Sequence, residues 1–320
     1  MDINPILITV AVSFTLSVIL GPLFIPILRR LKFGQQIREE GPKGHLKKAG
    51  TPTMGGVIIL LALTLTFLRF AERTPDAYIL LVACLGFGLV GFLDDYIKIA
   101  FRRSLGLTAR QKLLGQLLFA LAVCVMLHVH GHSTDVAIPG TDWTLSLGWM
   151  YYPFLILFML GMTNAVNFTD GLDGLLSGTS AIAFGALTVI AMMRTEHETA
   201  FFSAAMIGAV LGFLVFNAHP AKVFMGDTGS LGIGGALVAC AVLTKTEFLL
   251  LLIGGVFVVE VLSVIIQVVS FKTRGKRVFK MSPIHHHFEL VGWSEWKVVI
   301  AFWMAGLLFA GLGIFIDEGL

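Results

Sequence analysis

The chain has 320 residues, of which 56% are hydrophobic and 13% are charged, and its mean hydropathy is +0.87. Soluble domains carry about 25% charged residues, so this composition excludes a mainly soluble protein and predicts an integral membrane protein. The formal net charge is only +3 and forms no basic stripe, so we expect no nucleic-acid partner.

Ten apolar windows come close to the ~20 residues that a helix needs to cross a bilayer. In chain order they cover residues 3–28, 54–70, 77–93, 113–130, 149–166, 174–193, 199–216, 229–243, 248–271 and 297–316. We therefore predict a single polytopic domain over residues 1–320, an all-α integral membrane protein with about ten transmembrane helices.

Basic residues are concentrated in alternate connections between these windows. Of the 23 Lys and Arg residues, 19 fall at positions 29–48, 98–112, 222 and 272–297. Because the cytoplasmic loops of membrane proteins are enriched in Lys and Arg, these connections are predicted to be cytoplasmic. The N-terminus and, with an even number of spans, the C-terminus are then outside.

The stretch DVAIPGTDWTLSL (135–147) falls on the predicted outer side. Its apolar and polar residues alternate on both sides of Pro139 and Gly140, a pattern typical of two strands joined by a turn. We predict a small external β-hairpin with a structural role.

Aspartates stand at the predicted cytoplasmic ends of several helices. They are Asp94, Asp95, Asp170, Asp173 and Asp227. A single such residue is usually a helix end that faces water, but several carboxylates at one face of an apolar protein are costly to dehydrate unless a cation compensates them. Oxygen ligands without a neighbouring Cys or His cluster favour Mg²⁺, so we predict a Mg²⁺ site at this face.

The segment NAVNFTDGLDGL (164–175) spaces four polar residues three apart, at Asn164, Asn167, Asp170 and Asp173. Steps of three residues drift by about 60° each on a straight helix, so the four side chains cannot share one narrow face. We therefore predict a helix end followed by a turn, which lets these side chains converge.

The Gly-rich stretch GDTGSLGIGG (226–235) precedes an apolar window, and exposed N–H groups at a helix start attract phosphate. Basic residues on the same side include Lys47, Lys48, Lys98 and Lys112. Each alone is an ordinary cytoplasmic-loop residue. Together with the aspartates they favour an anionic, phosphorylated substrate at the cytoplasmic surface.

Two further polar features lie in the last third of the chain. The histidines of SPIHHHFE (282–289) allow three interpretations: a His-only metal site, donors to phosphate or sugar oxygens, or an ordered loop lid. Glu260, Ser263 and Gln267 form a polar stripe in the ninth window. An intramembrane Glu indicates function, although hydrogen bonding between helices explains the stripe equally well.

Five motifs closely resemble, in order, those of the phospho-MurNAc-pentapeptide translocase (MraY) family. They are KKAGTPTMGG (47–56), GFLDDYIK (91–98), NAVNFTDGLDGL (164–175), FMGDTGS (224–230) and SPIHHHFE (282–289). The Asp-Asp and NxxNxxDGLDG elements are shared with the wider polyprenyl-phosphate N-acetylhexosamine-1-phosphate transferase superfamily, whereas HHHFE and TPTMGG point to the family itself. The resemblance covers nearly the whole chain.

The resemblance implies a Mg²⁺-dependent transferase of the bacterial inner membrane, with its active site facing the cytoplasm. It would transfer phospho-MurNAc-pentapeptide from UDP-MurNAc-pentapeptide to undecaprenyl phosphate, giving lipid I and UMP for peptidoglycan synthesis. The resemblance also implies a homodimer and a bent ninth helix beside a lipid-facing groove, where Glu260 would lie.

The same resemblance implies roles for individual residues. The catalytic residues would be Asp94, Asp95, Asp227 and His286, with Asp227 and Asp94 at the metal. Phosphates would meet Lys47, Lys98 and Lys112, and the pyrophosphate would meet Asn167, Asp170, His285 and His287. The nucleotide would meet Gly171, Leu172, Asp173 and Phe224, and Asn164 and Asn217 would complete the substrate site.

Two mechanisms stay open at the level of the sequence. Asp94 either attacks the donor and forms a covalent intermediate, or it orients the lipid phosphate, which attacks directly. The nearest rival function is transfer of GlcNAc-1-phosphate by another member of the superfamily. A transporter or a scaffold is the rival from a different class, although transporters usually gather polar groups at the bilayer midplane.

Overall fold

The computed structural model describes residues 2–30, 48, 50–101 and 105–318. Its helices are α1 (Ile3–Arg30), α2 (Gly56–Phe70), α3 (Pro75–Ala100), α4 (Ala109–Val129), α5 (Tyr151–Thr169), α6 (Leu175–Met193), α7 (His197–Asn217), α8 (Gly226–Leu243), α9 (Glu247–Ile253), α10 (Gly255–Arg274), α11 (Ile284–Val291) and α12 (Glu295–Glu318). Within this described part, nine helices are long and apolar enough to span a bilayer, and α2 is a shorter apolar helix of 15 residues. The predicted all-α membrane fold is confirmed.

The predicted hairpin is also present. Strands β1 (Asp135–Ala137) and β2 (Thr144–Ser146) pair antiparallel, with Val136 opposite Leu145. Between them Gly140 adopts a left-handed φ of 74°, which glycine tolerates at little cost in a turn. The Lys245 ammonium, from the connection between α8 and α9, donates to the carbonyl oxygen of Ser133 at 2.5 Å and so ties the hairpin to the helices.

The ninth apolar window is not one straight helix. It is interrupted at Gly254, which separates the short α9 from the longer α10. A Cβ at this position would lie 2.9 Å from the carbonyl oxygen of Leu250, so the residue at the break is packed closely against the preceding turn. The predicted bend in this segment corresponds to that break.

Polar residues lie at two opposite ends of the helical bundle. At one end Arg194 pairs with Asp317 near the end of α12, and Ile6 near the start of α1 packs against Ala191. The start of α1 and the end of α12 therefore lie at this end, which also carries the hairpin. The motif residues lie at the opposite end, and its assignment to the cytoplasm rests on loop charge and stays a prediction.

Helix α8 lies at the centre of the bundle. All of its residues from Thr228 to Leu243 are buried, whereas α1, α4 and α12 expose many large apolar side chains such as Leu23, Leu118 and Leu308. Exposed leucines on outer helices suit contact with lipid, where apolar side chains cost nothing. The start of α8, which carries Asp227, is therefore surrounded by the ends of neighbouring helices.

Candidate active site

Glycines bring the ends of α3 and α8 into contact. A Cβ on Gly91 of α3 would lie 2.0 Å from the carbonyl oxygen of Asp227, and a Cβ on Gly56 of α2 would lie 2.1 Å from the backbone nitrogen of Gly229. Only glycine permits such close approach of two backbones. Small residues therefore place the first turn of α8 beside the last turns of α3.

The TPTMGG segment fixes the chain just before α8. The Phe224 N–H donates to the carbonyl oxygen of Pro52 at 2.8 Å, and the N–H groups of Gly55 and Gly56 donate to the carbonyl oxygens of Phe224 and Met225, both at 2.9 Å. These backbone hydrogen bonds are an extended pairing between two motifs that are far apart in sequence. They hold the turn from which Asp227 projects.

Three of the five predicted aspartates meet at this contact. Asp94 and Asp95 come from α3 and Asp227 from the first turn of α8, and one oxygen of each lies within 4.8 Å of the others. The Lys98 Nζ lies 2.5 Å from Asp94 Oδ2, 3.6 Å from Asp95 Oδ1 and 3.2 Å from Asp227 Oδ2. We call Asp94, Asp95, Asp227 and Lys98 the acid cluster.

Two residues from other helices complete the surroundings of Asp227. The Lys112 Nζ lies 3.0 Å from Asp227 Oδ2, and the Asn167 amide donates to Asp227 Oδ1 at 2.9 Å. Asn167 also donates to Ser230 Oγ at 2.7 Å and accepts from Lys112 at 3.2 Å. One oxygen of Asp227 is thus held by the Lys112 ammonium and the other by the Asn167 amide.

Asp94 and Asp95 differ in their partners. Asp95 Oδ2 accepts from the backbone N–H and the hydroxyl of Thr228, at 2.9 and 2.8 Å. That N–H belongs to the first turn of α8, where backbone donors lack intrahelical acceptors, so Asp95 caps α8 from a neighbouring helix. Asp94 Oδ1 accepts from the Leu107 N–H at 2.8 Å, while its Oδ2 pairs with Lys98.

Asp170 follows the last residue of α5 and is close to the acid cluster. Burial, together with the negative charges of Asp227 and Asp95, raises the pKa of the Asp170 carboxyl to about 7. A hydrogen bond from the backbone of Gly226 acts in the opposite direction and does not cancel this effect. A nearby cation would therefore stabilise the ionised form of the Asp170 carboxyl.

Asp173 lies in a second polar cluster. Its Oδ1 pairs with Lys48 Nζ at 2.7 Å, and its Oδ2 pairs with His219 Nδ1 at 2.9 Å. Glu295, from the first turn of α12, accepts from Lys48 at 2.6 Å and from the Asp173 N–H at 2.8 Å. Four segments of the chain thus converge on Asp173.

The turn around Asp170 and Asp173 has the predicted form. Helix α5 ends at Thr169, Gly174 has a left-handed φ of 78°, and α6 begins at Leu175. Asn217 supports this turn, because its Oδ1 accepts from the Gly174 N–H at 3.1 Å and its amide donates to the Val223 carbonyl at 3.1 Å. Asn217 therefore has a structural role at the turn.

Other predicted residues contact other parts of the chain. Leu172 packs in a small apolar cluster with Leu175, Val298 and Val299, and Phe224 is partly exposed beside the TPTMGG segment. The Asn164 amide donates hydrogen bonds to Gln116 Oε1 of α4 at 2.9 Å and to a carbonyl oxygen of its own helix. Asn164 therefore links α4 to α5. Lys47 lies outside the described residues.

The three histidines of α11 turn to different partners. Nδ1 of His285 pairs with Glu260 at 3.0 Å, Nδ1 of His286 pairs with Glu289 at 2.8 Å, and Nδ1 of His287 accepts from the Lys280 N–H at 3.1 Å. These three histidines are not among the groups of described residues with metal-ligand spacing, which speaks against the His-only metal site. Glu260 is fully buried, so its side chain supports His285 and does not itself border a lipid-facing groove.

Some site residues differ from those that the motifs indicated. Lys48, one of the basic residues that favoured a phosphorylated substrate, lies beside Asp173, whereas the family resemblance gave the phosphate role to its neighbour Lys47. Glu295 and His219 belong to no recognisable motif. Their place in the site is evident only from the contacts between distant segments. Glu295 in the first turn of a helix resembles an ordinary favourable charge there, so its sequence position alone gave no signal.

The acid cluster fits a hard cation. Its donors are all carboxylate oxygens, the set that Mg²⁺ prefers, and the Lys98 ammonium lies among all three of them, as a positive charge is needed there. Asp173, His219 and Glu295 form a second group with metal-ligand spacing. The histidine nitrogen of that group suits Mg²⁺ less well than carboxylate oxygens do.

Comparisons with known proteins identify the family of the chain. The family model described as Glycosyl transferase family 4 matches residues 77–245, and the Phospho-N-acetylmuramoyl-pentapeptide-transferase signature 1 matches residues 48–60. The chain is 60% identical, over 98% of both chains, to the Phospho-N-acetylmuramoyl-pentapeptide-transferases of Bacillus pumilus and Bacillus subtilis. It is 61% identical to that of Geobacillus kaustophilus over the same share. The chain therefore belongs to the phospho-N-acetylmuramoyl-pentapeptide-transferase family.

Proposed function

We propose that this enzyme transfers phospho-MurNAc-pentapeptide from UDP-MurNAc-pentapeptide to undecaprenyl phosphate, forming lipid I and releasing UMP. The observation that carries the proposal is the meeting of three carboxylates, Lys98 and Lys112 at one end of a membrane bundle, in a chain of this family. Both reactants are phosphate anions, so a site that combines cations with metal-binding oxygens suits their reaction.

We propose that Mg²⁺ is the cofactor and that Asp227 and Asp94 hold it. When bound, the ion would neutralise charge on the phosphates as they approach each other. Asp227 supports this assignment because Asn167 and Lys112 fix its two oxygens beside the carboxylates of Asp94 and Asp95. Asp95 acts as the cap of α8, which keeps the backbone beneath the metal ligands in place.

The lipid phosphate attacks the donor directly, and Asp94 orients it. A phosphate monoester has a second pKa near ~6, so at pH 7 the lipid phosphate is mostly a dianion and needs little help from a base. Asp94 is buried, and both of its oxygens have partners. A nucleophile would have to leave those partners, which favours the orienting role.

Lys98 and Lys112 supply positive charge where the two anions meet, and Asn167 keeps Lys112 beside Asp227. Asp170 and the α11 histidines, His286 among them, lie toward the pyrophosphate of the donor. Asp173, Gly171, Leu172 and Phe224 receive the nucleotide at the adjacent turn. Opening of the Lys48 contact with Asp173 frees both groups for the uracil and the phosphates.

The acid cluster faces the cytoplasm of the bacterial inner membrane, and the enzyme acts as a homodimer. The distribution of Lys and Arg supports the orientation, and the family resemblance supports the dimer. Sedimentation of the detergent-solubilised protein is expected to give the mass of two chains. A single-chain mass at every protein concentration would contradict the dimer.

Release of UMP by the purified protein tests the function. We expect release with UDP-MurNAc-pentapeptide, undecaprenyl phosphate and Mg²⁺, and little release when UDP-GlcNAc replaces the donor. Preference for UDP-GlcNAc would favour the rival superfamily activity. No release with either donor, across varied lipids and detergents, would favour a transporter or a scaffold.

Incubation with the nucleotide donor alone tests the direct mechanism. Because attack comes from the lipid phosphate, we expect no covalent adduct on Asp94 when undecaprenyl phosphate is absent. Mass spectrometry of peptides that contain residue 94 gives the answer. A phosphorylated or glycosyl-phosphorylated Asp94 would replace direct attack with a covalent two-step mechanism.

A further inference from the structure

The polar stripe of the ninth window, Glu260, Ser263 and Gln267, takes no direct part in the proposed reaction. All three residues lie on α10, and Glu260 and Ser263 are buried. Polar side chains in an apolar helix are costly unless they form hydrogen bonds. Their partners therefore indicate what the stripe does.

Gln267 fastens the loop that leads to α11. Its Oε1 accepts from the N–H groups of Val278 and Phe279 at 2.9 and 3.0 Å, and its amide donates to the Phe279 carbonyl at 2.9 Å. Three hydrogen bonds from one side chain to two consecutive residues fix the path of the loop. This contact aligns the loop so that α11 returns over α10.

Glu260 fastens α11 itself through His285. Glu260 Oε1 and His285 Nδ1 are 3.0 Å apart, and both side chains have 0% exposure. The hydrogen bond between the carboxylate and Nδ1 fixes the orientation of the imidazole ring. Glu260 Oε2 and His285 Nε2 are buried without a hydrogen-bond partner among the described residues.

The far edge of that imidazole rests on the turn that carries Asp170 and Asp173. A Cβ on Gly171 would lie 2.2 Å from His285 Nε2 and 2.7 Å from its Cε1. The ring is thus wedged between Glu260 on one side and the backbone of Gly171 on the other. Movement of the ring would release the turn between the two aspartates.

We propose that Glu260 is a positioning residue: by holding the imidazole of His285 against Gly171, it fixes the turn that presents Asp170 and Asp173 to the nucleotide donor. This role rests on the proposed function, because it assigns that turn to the donor. Glu260 acts through His285 and touches no substrate. The stripe on α10 is therefore the support of the donor site.

Steady-state UMP release by the full-length protein in detergent tests this role. Glu260→Leu removes the acceptor, so the ring loses its orientation and we expect the KM for UDP-MurNAc-pentapeptide to rise about tenfold or more. The KM for undecaprenyl phosphate should change less than threefold. Glu260→Gln keeps an oxygen acceptor and should stay within about threefold of the original protein in both constants.

Glu247 provides a matched control. It is also fully buried, one of its oxygens accepts from the Tyr151 hydroxyl at 2.8 Å, and the other has no hydrogen-bond partner in the described part of the chain. It lies at the opposite end of the bundle, so Glu247→Leu should lower the amount of folded enzyme without raising the donor KM. An equal rise in both Leu variants, or an unchanged donor KM in Glu260→Leu, would overturn the proposal.

A double variant tests whether Glu260 acts through His285. If it does, Glu260→Leu should cause no further rise in donor KM once His285→Ala is present. Independent, multiplying effects would contradict the proposed route. The failure of the proposed function looks different, since the unsubstituted protein and Glu247→Leu would then release no UMP from this donor.

Discussion

The Lys98 ammonium lies 3.2 Å from Asp227 Oδ2, although 129 residues separate the two in sequence. Lys98 is on the last turn of α3 and Asp227 on the first turn of α8. Their contact depends on the close approach of the two helices at Gly91. It joins the two motifs into one site.

Replacement of Asp227 by Asn is expected to abolish turnover. The substitution removes a metal-binding oxygen and one negative charge while keeping the shape, and loss of several kcal/mol of charge stabilisation corresponds to about a hundredfold or more in rate. UMP release measured across a Mg²⁺ titration checks this. Asp142→Asn, at an exposed hairpin residue, is the control and should retain full activity. Near-normal rates for Asp227→Asn at low Mg²⁺ would remove this residue from the metal site.

Replacement of Lys98 by Met is expected to reduce turnover by about a hundredfold, because a positive charge at the meeting of two anions is lost. Three carboxylates would also lose their shared partner, so Mg²⁺ should raise the thermal unfolding temperature of the variant more than that of the original protein. Lys272→Met, at an exposed residue at the end of α10, should change neither. Equal stabilisation by Mg²⁺ in all three proteins would show that Lys98 does not occupy the cation position.

Asp170 gives the metal-free protein a pH dependence of stability. Its folded-state pKa of about 7 exceeds the usual aspartate value of about 4, so folding favours the protonated carboxyl. This contribution is complete below about pH 4 and is lost as the pH rises through about 7. Asp170→Asn does not titrate, so its unfolding temperature relative to the original protein should increase between pH 5 and pH 8 in the presence of EDTA. A constant difference over that range would contradict the raised pKa.

Replacement of Gly91 by Ala is expected to separate α3 from α8. The new Cβ would lie 2.0 Å from the Asp227 carbonyl oxygen, and overpacking of this kind costs about 1–3 kcal/mol or more. Both the unfolding temperature and the rate of UMP release should fall. Gly161→Ala is the control, because a Cβ there meets nothing within 4 Å and alanine favours a helix. Full activity of Gly91→Ala would mean that the acid cluster tolerates a shift of α8.

Much of the fold could be predicted because membrane insertion is governed by local composition. Apolar windows marked the spans, Pro139 and Gly140 marked the hairpin, and the distribution of Lys and Arg placed the motifs at one end. The family was also predicted correctly from its motifs, as the comparisons confirm. The helix end and turn at Asp170 followed from geometry alone, since a spacing of three cannot keep one face of a straight helix.

The contacts within the site could be identified only from the tertiary structure, because they join segments that are far apart in sequence. Lys48, His219 and Glu295 surround Asp173 only after three other segments have packed around its turn. The buried stripe on α10 was visible in the sequence, but its partner His285 was not. Hydropathy and spacing determined which residues enter the membrane and where helices end. Packing of glycines such as Gly91 against backbone decided which charged groups meet, because the distances between helices depend on side chains far apart in the chain.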